Sequence, residues 1–248
     1  MNRPHHDRVL ARLRDWGAHQ FSSRISASQY RKAYDLVDRF VPPDGTALDW
    51  GCGEGHFSAY LLSHGMQVVG LTLNDDTLLA APLAKKYPSQ YELVADATAV
   101  RTLPFPDAHF DLVTSIGVLE HVRETGGNEA DSLREIVRVL KPGGLFLCYH
   151  FPNRYSWIEA ITRHIKSKHN HIYKYSRREM NQLLTDADLS VEETQRYGFL
   201  PRLLTMKWPA AIRESAPAEM IYNAFEAGLS TVLPWFCQNH YSVARKSR

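Results

Sequence analysis

Over residues 46–150, short apolar runs alternate with longer segments whose apolar positions recur every three or four residues. TALDW (46–50), QVVGLTL (67–73), YELVAD (91–96), FDLVTSI (110–116) and LFLCYH (145–150) have the length and apolar density of buried strands. FSAYLL (57–62), the segment around TLLAAPLAKKY (77–87) and SLREIVRVL (132–140) have helical spacing. Strands alternating with helices build βαβ units, so the pattern predicts an α/β fold on a parallel sheet. KPGG at 141–144 predicts the end of the helix carrying Ile136, Val137 and Leu140, because proline cannot continue a helix and glycine favours its exit.

One loop stands out against this pattern. LDWGCGEGHF (48–57) runs from the first strand into the first helix of the series with glycines at 51, 53 and 55. Glycine permits positive φ and lacks the Cβ that keeps a ligand away from the backbone. The loop therefore suits a nucleotide-type ligand delivered to a helix N-terminus. A dinucleotide fingerprint needs its third glycine at 56, where this chain has His56, and the spacing is GxGxG.

GxGxG, together with LDWGCGEG, VADATAVRTLPFPDAHFDLV (94–113) and RVLKPGGLFL (138–147), resembles the class I S-adenosylmethionine-dependent methyltransferases over roughly residues 45–150. The broad likeness is to the ubiquinone-biosynthesis-like small-molecule branch, with a GLTL segment (70–73) similar to the cyclopropane synthases. The resemblance implies a Rossmann-like, seven-stranded, mostly parallel sheet with helices on both faces. Its last strand would be antiparallel, with VEETQRYG (191–198) and HYSVARK (240–246) as the final pair. It also implies S-adenosyl-L-methionine as cofactor. Backbone at Gly51, Cys52 and Gly53, with Gly55 closing the loop, would receive its amino acid tail and ribose. Asp49 would either order the loop or meet the cofactor through water. Asp96 would accept from the adenine amino group, the Ala97 N–H would face a ring nitrogen, and Ile116 would line the site at the end of the fourth strand. Thr72 stands where most relatives have an acid on the ribose diol. That contact would pass to Thr72 and Leu73 with Asn74 and Thr77 or Asp76 downstream, unless these residues only start a helix.

Methyl transfer by in-line displacement depends mainly on alignment, and a base is required only when the acceptor must lose a proton. His121 in SIGVLEHV and His150 at the end of LFLCYH are the two candidates, and a loop-ordering pair of Glu120 with His121 is the alternative for the first. FDLVTSIGV stands where an amino-nitrogen methylase would carry an NPPY-like tetrad, which argues against adenine or glutamine as acceptor.

Composition narrows the partners. Lys plus Arg is 29 against 27 for Asp plus Glu, a net charge of +2, so no nucleic acid is expected. Cys52, Cys148 and Cys237 are far apart without CxxC spacing, which supports neither a disulfide framework nor zinc. His164, His169 and His171 lie in the basic, aromatic stretch HIKSKHNHIYKYSRR (164–178), read as a solvated loop rather than a metal site, so no metal is expected. The polar, basic N-terminal stretch has no apolar signal-like run and no segment reaches membrane-span length, so a cytoplasmic protein is expected.

Between the last two strands lies a long segment rich in aromatics, with Met220, Ile221, Ala224, Phe225, Leu229, Val232 and Leu233 at near-helical spacing before Trp235 and Phe236. Such a segment has to pack, either capping the site or forming the face of a homodimer. The expected division is an N-terminal helical cap at 1–40, a cofactor-binding core at 41–197, the apolar insertion at 198–238, and the final strand and tail at 239–248. The expected function is methyl transfer to a small, hydrophobic acceptor, at oxygen first. Methylation at carbon and a cofactor-binding or interaction module without catalysis are the alternatives.

Overall fold

The computed structural model describes residues 3–73, 80–96, 101–163, 171–201 and 204–248. Its strands are β1 (Thr46–Trp50), β2 (Gln67–Thr72), β3 (Tyr91–Ala95), β4 (Phe110–Ile116), β5 (Leu140–Pro152), β6 (Leu189–Tyr197) and β7 (Asn239–Lys246). They form one sheet in the order β3-β2-β1-β4-β5-β7-β6. Pairings among β1 to β5 are parallel, and β7 runs antiparallel to both β5 and β6. The order reverses between β1 and β4, so the crevice at that switch point, beyond the C-terminal strand ends, is where a ligand is expected.

The helices are α1 (Arg3–Asp15), α2 (Arg24–Ser28), α3 (Arg31–Phe40), α4 (His56–Ser63), α5 (Ala80–Lys86), α6 (Glu129–Val139), α7 (Trp157–Thr162), α8 (Arg177–Asp186), α9 (Ala210–Arg213) and α10 (Ala216–Val232). Local chemistry marks several starts: the Asn128 side chain caps α6, Ser176 and Glu179 form a reciprocal capping box on α8, and Ser215 caps α10. Because side chains alternate along a strand, each central strand feeds both faces. Leu112 and Leu147 join one apolar cluster with Leu13, Tyr34, Phe57 and Tyr60, whereas Val113 and Phe146 join the other with Ile136, Met180 and Leu184. Full burial of such side chains stabilises the fold by about 1.5–3 kcal/mol each.

Two expectations change here. The helix before KPGG ends at Val139, and KPGG lies within β5, which runs from Leu140 to Pro152. The positive φ of 78° at Gly143 is absorbed inside this long strand, whose pairing with β4 is irregular between Phe110 and Leu112. The insertion does form a helix, but Met220, Ile221, Phe225 and Val232 are 60–76% exposed. Polar contacts direct its packing: Glu219 pairs with Arg24 and Arg31, and Asn223 bonds Ser28, which turns the apolar face outward. Among the described residues, no helix is long and apolar enough to cross a membrane.

Candidate functional site

The glycine loop leaves β1 and enters α4 with all three glycines in the left-handed region, at φ 73°, 51° and 80° for Gly51, Gly53 and Gly55. Each does a different job. A Cβ on Gly51 would lie 2.4 Å from Val118 Cγ2, and one on Gly55 would crowd Ala80 and Leu83 at 3.1 Å. At Gly53 the nearest atom would be Gly51 O, 3.9 Å away, so this backbone borders open space. The N–H groups of Gly51 and Cys52 both donate to Leu71 O at 2.9 Å. These bonds extend the β1–β2 pairing by one step and pin the loop over the sheet edge, so any cofactor contact at these two residues is made by backbone atoms other than their N–H groups.

Asp49 is 1% exposed, and its carboxylate accepts from the Ser58 hydroxyl at 2.7 Å and the Thr114 hydroxyl at 2.9 Å. Burial raises its pKa, and these hydrogen bonds draw it partly back. These contacts join β1, α4 and β4 beneath the loop. Burial, with Asp49 nearby, pushes the Cys52 thiol up to about 12, so it stays protonated. His56, in place of the third dinucleotide glycine, packs its ring 5.0 Å from Tyr30 and 5.4 Å from Phe21, joining the loop to the N-terminal helices.

Thr72 (8% exposed) and Leu73, at the end of β2, line a cavity of about 80 Å³ with Trp50, Gly51, Val118 and His121. The Asp96 N–H donates to Thr72 O at 2.9 Å, which sets Asp96 beside this edge. Ile116 ends β4 opposite Tyr149 of β5 and packs against the apolar core. Asn74, Asp76, Thr77 and Ala97 lie outside the described residues, as do His164 and His169.

The two histidines occupy different surroundings. His121 Nδ1 is 3.1 Å from Glu124, and the residue faces the small cavity. His150 sits at a bulge in β5 with φ 73°, lining a cavity of about 960 Å³ between α2, α3, α10 and the C-terminal ends of β5 and β6. The Tyr197 hydroxyl accepts from the His150 backbone N–H at 2.9 Å and lies 2.7 Å from its Nδ1. Tyr149, Tyr197 and Tyr241 give this cavity an aromatic wall, and the Lys32 ammonium lies 5.2 Å from the Tyr241 ring centre. Sequence reasoning missed Ser58, Thr114, Tyr197 and Lys32. A serine at the third position of the helix after a glycine loop was a readable signal for Ser58; Tyr197 and Lys32 carried none.

Residues 48–148 match the family described as the methyltransferase domain. A Bacillus licheniformis demethylmenaquinone methyltransferase is 34% identical over 134 residues, covering 52% of this chain and 55% of its own. A Synechocystis 2-methyl-6-phytyl-1,4-hydroquinone methyltransferase is 35% identical over 109 residues, covering 43% of this chain and 32% of its own. The chain spans about half the length of the first of these curated relatives. Among solved structures, the Burkholderia thailandensis 1,6-didemethyltoxoflavin-N1-methyltransferase with bound 1,6-didemethyltoxoflavin and S-adenosylhomocysteine superposes with a TM-score of 0.61. It covers 98% of this chain and 87% of that one at 18% identity, a likeness that bears on the fold alone. The sheet order, the left-handed glycine loop at its switch point and these matches agree: residues 48–148 form a methyltransferase domain similar to those of the S-adenosylmethionine-dependent enzymes.

Proposed function

We propose that this protein transfers a methyl group from S-adenosylmethionine to an oxygen of a small molecule held in the large cavity, with His150 as the base. The observation that carries the reading is His150 itself. It is a left-handed residue at the C-terminal end of β5, fixed through backbone and ring by Tyr197, and it lines the cavity next to Gly117 at the end of β4. A residue held in that region is costly, and such positions concentrate at functional sites.

The residues present fit the cofactor. Gly53 offers backbone bordering open space, where even a small side chain would project, and Thr72, Leu73 and Gly51 line the adjoining cavity. Asp49 holds the loop from beneath through Ser58 and Thr114, and Asp96 is the candidate acceptor for the adenine amino group. When bound, the cofactor supplies a methyl carbon on a positively charged sulfur, which keeps the electron pair of the broken C–S bond as the acceptor oxygen takes the methyl. With Nδ1 protonated and donating to Tyr197, His150 Nε2 is the atom that takes the acceptor's hydroxyl proton.

The cavity volume and its tyrosines suit an amphipathic, aromatic-sized acceptor. Relatives named for demethylmenaquinone and a phytyl hydroquinone support the small-molecule class. In this reading α2, α3 and α10 cap the site. The test is incubation of the purified chain with methyl-¹³C-labelled cofactor and fractionated metabolite extracts, followed by carbon NMR of labelled products. An O-methyl resonance is the expected result. A C-methyl product would move the reaction to carbon, and cofactor binding without any labelled product would reduce the protein to a binding module.

A further inference from the structure

We propose that Glu120, His121 and His171 form a site for one divalent first-row transition-metal ion. One ligand atom of each side chain lies within 4.8 Å of the other two. The rings of His121 and His171 are 5.6 Å apart between centres, and His121 Nε2 is 4.0 Å from Glu120 Oε1. Donors around a tetrahedral ion stand about 3.4 Å apart, so closing the triangle takes shifts of roughly an ångström, within the reach of side-chain rotation.

What separates this cluster from an ordinary ion-pair network is the second layer. His121 Nδ1 lies 3.1 Å from Glu124 Oε2, and His171 Nδ1 lies 2.8 Å from Glu159 Oε1. A carboxylate on Nδ1 keeps the proton there and leaves Nε2 as the electron-pair donor, the arrangement that orients metal-binding histidines. Glu159 is in turn held by Lys174 at 3.1 Å. Glu120 is 4% exposed, and a carboxylate so buried calls for positive charge nearby. The three glutamates and Lys174 together carry two negative charges when both imidazoles are neutral, which matches a divalent cation. Two imidazoles with one carboxylate select zinc, manganese, iron(II) or cobalt over calcium and magnesium.

The location links the ion to the acceptor. A Cβ on Gly117 would stand 3.7 Å from Glu120 Oε1 and 4.0 Å from His150 Cδ2, so a ligand of the ion and the proposed base flank the same glycine. Use of the ion in acceptor binding rests on the methyl-transfer reading; binding of the ion does not.

The experiment is calorimetric titration of the chelator-stripped full chain with Zn²⁺ and, separately, Mn²⁺. Wild-type protein is expected to bind one ion per chain, with affinity lowered at least tenfold by His121→Ala, His171→Ala and the isosteric Glu120→Gln. Glu124→Gln and Glu159→Gln, which remove only the orienting carboxylates, are expected to weaken binding about tenfold or more. Circular dichroism and urea unfolding of each variant check that the fold survives. No stoichiometric binding by wild type, or wild-type affinity in the His121→Ala/His171→Ala double variant, overturns the site. Binding with the expected pattern in a chain that transfers no methyl group supports the site and removes only the methyl-transfer reading.

Discussion

The Tyr197 hydroxyl stands 2.9 Å from the backbone nitrogen and 2.7 Å from Nδ1 of His150, so one oxygen holds both the main chain and the ring of a residue at φ 73°. Tyr197→Phe removes both contacts without changing the stacking of the ring on Tyr149. Methyl transfer is expected to fall about tenfold or more while S-adenosylhomocysteine affinity stays within threefold, because an unoriented base acts less often. His150→Ala should fall further, about a hundredfold. Its backbone also allows an independent check: His150→Gly should be more stable than His150→Ala by about 1 kcal/mol in urea unfolding, since glycine accepts the left-handed region without strain. Equal stability would mean that the bulge relaxes.

The loop glycines should divide between stability and binding. Gly51→Ala drives a Cβ to within 2.4 Å of Val118 and is expected to destabilise the fold by several kcal/mol, on the order of 3. Gly53→Ala meets no such neighbour, so only the left-handed strain remains, about 1 kcal/mol, while calorimetry should show S-adenosylhomocysteine affinity reduced at least tenfold. Wild-type affinity in Gly53→Ala would take this glycine out of the site.

Asp49 should behave as a structural acceptor. In Asp49→Ala the buried Ser58 hydroxyl loses its carboxylate acceptor and the buried Thr114 hydroxyl keeps only the longer bond to Leu48 O at 3.4 Å, at a cost of roughly 1–3 kcal/mol. Because burial already disfavours the charged carboxylate, the neutral Asp49→Asn should lose less than Asp49→Ala in denaturant unfolding. A loss as large as that of alanine would show that the charge itself matters.

Acid should unfold the protein through His240. This residue is fully buried in β7, with Nε2 3.0 Å from Tyr175 O and Nδ1 without a partner among the described residues, and burial lowers its pKa from 6.5 to about 4. The unfolded chain therefore binds more protons between pH 6.5 and pH 4. The contribution of neutral His240 is complete above that window and is lost as pH falls through it. Between pH 7.5 and 5 the loss is about 2 kcal/mol. Urea unfolding of wild type and His240→Gln at both pH values checks this, and an equal acid sensitivity in the two would assign it elsewhere.

By itself the sequence determined the alternation of strands and helices and the glycine loop, because these depend on local periodicity and on the backbone freedom of glycine, whereas the antiparallel final pair followed only from the family resemblance. It also brought His150 to the binding edge, as the last residue of a recognisable strand. The partners of those residues were decided only in three dimensions. Tyr197 reaches His150 across 47 positions of chain, because β6 and β5 flank β7 and bring their C-terminal ends to the same edge. The Gly51 and Cys52 N–H groups turned out to be bound to Leu71, a consequence of strand register that composition does not encode. The insertion's helical spacing was readable, but which side of α10 packs was not. Salt bridges and hydrogen bonds from Glu219 and Asn223 to α2 and α3 orient the helix, and hydrophobic periodicity contains no information about such specific polar pairing.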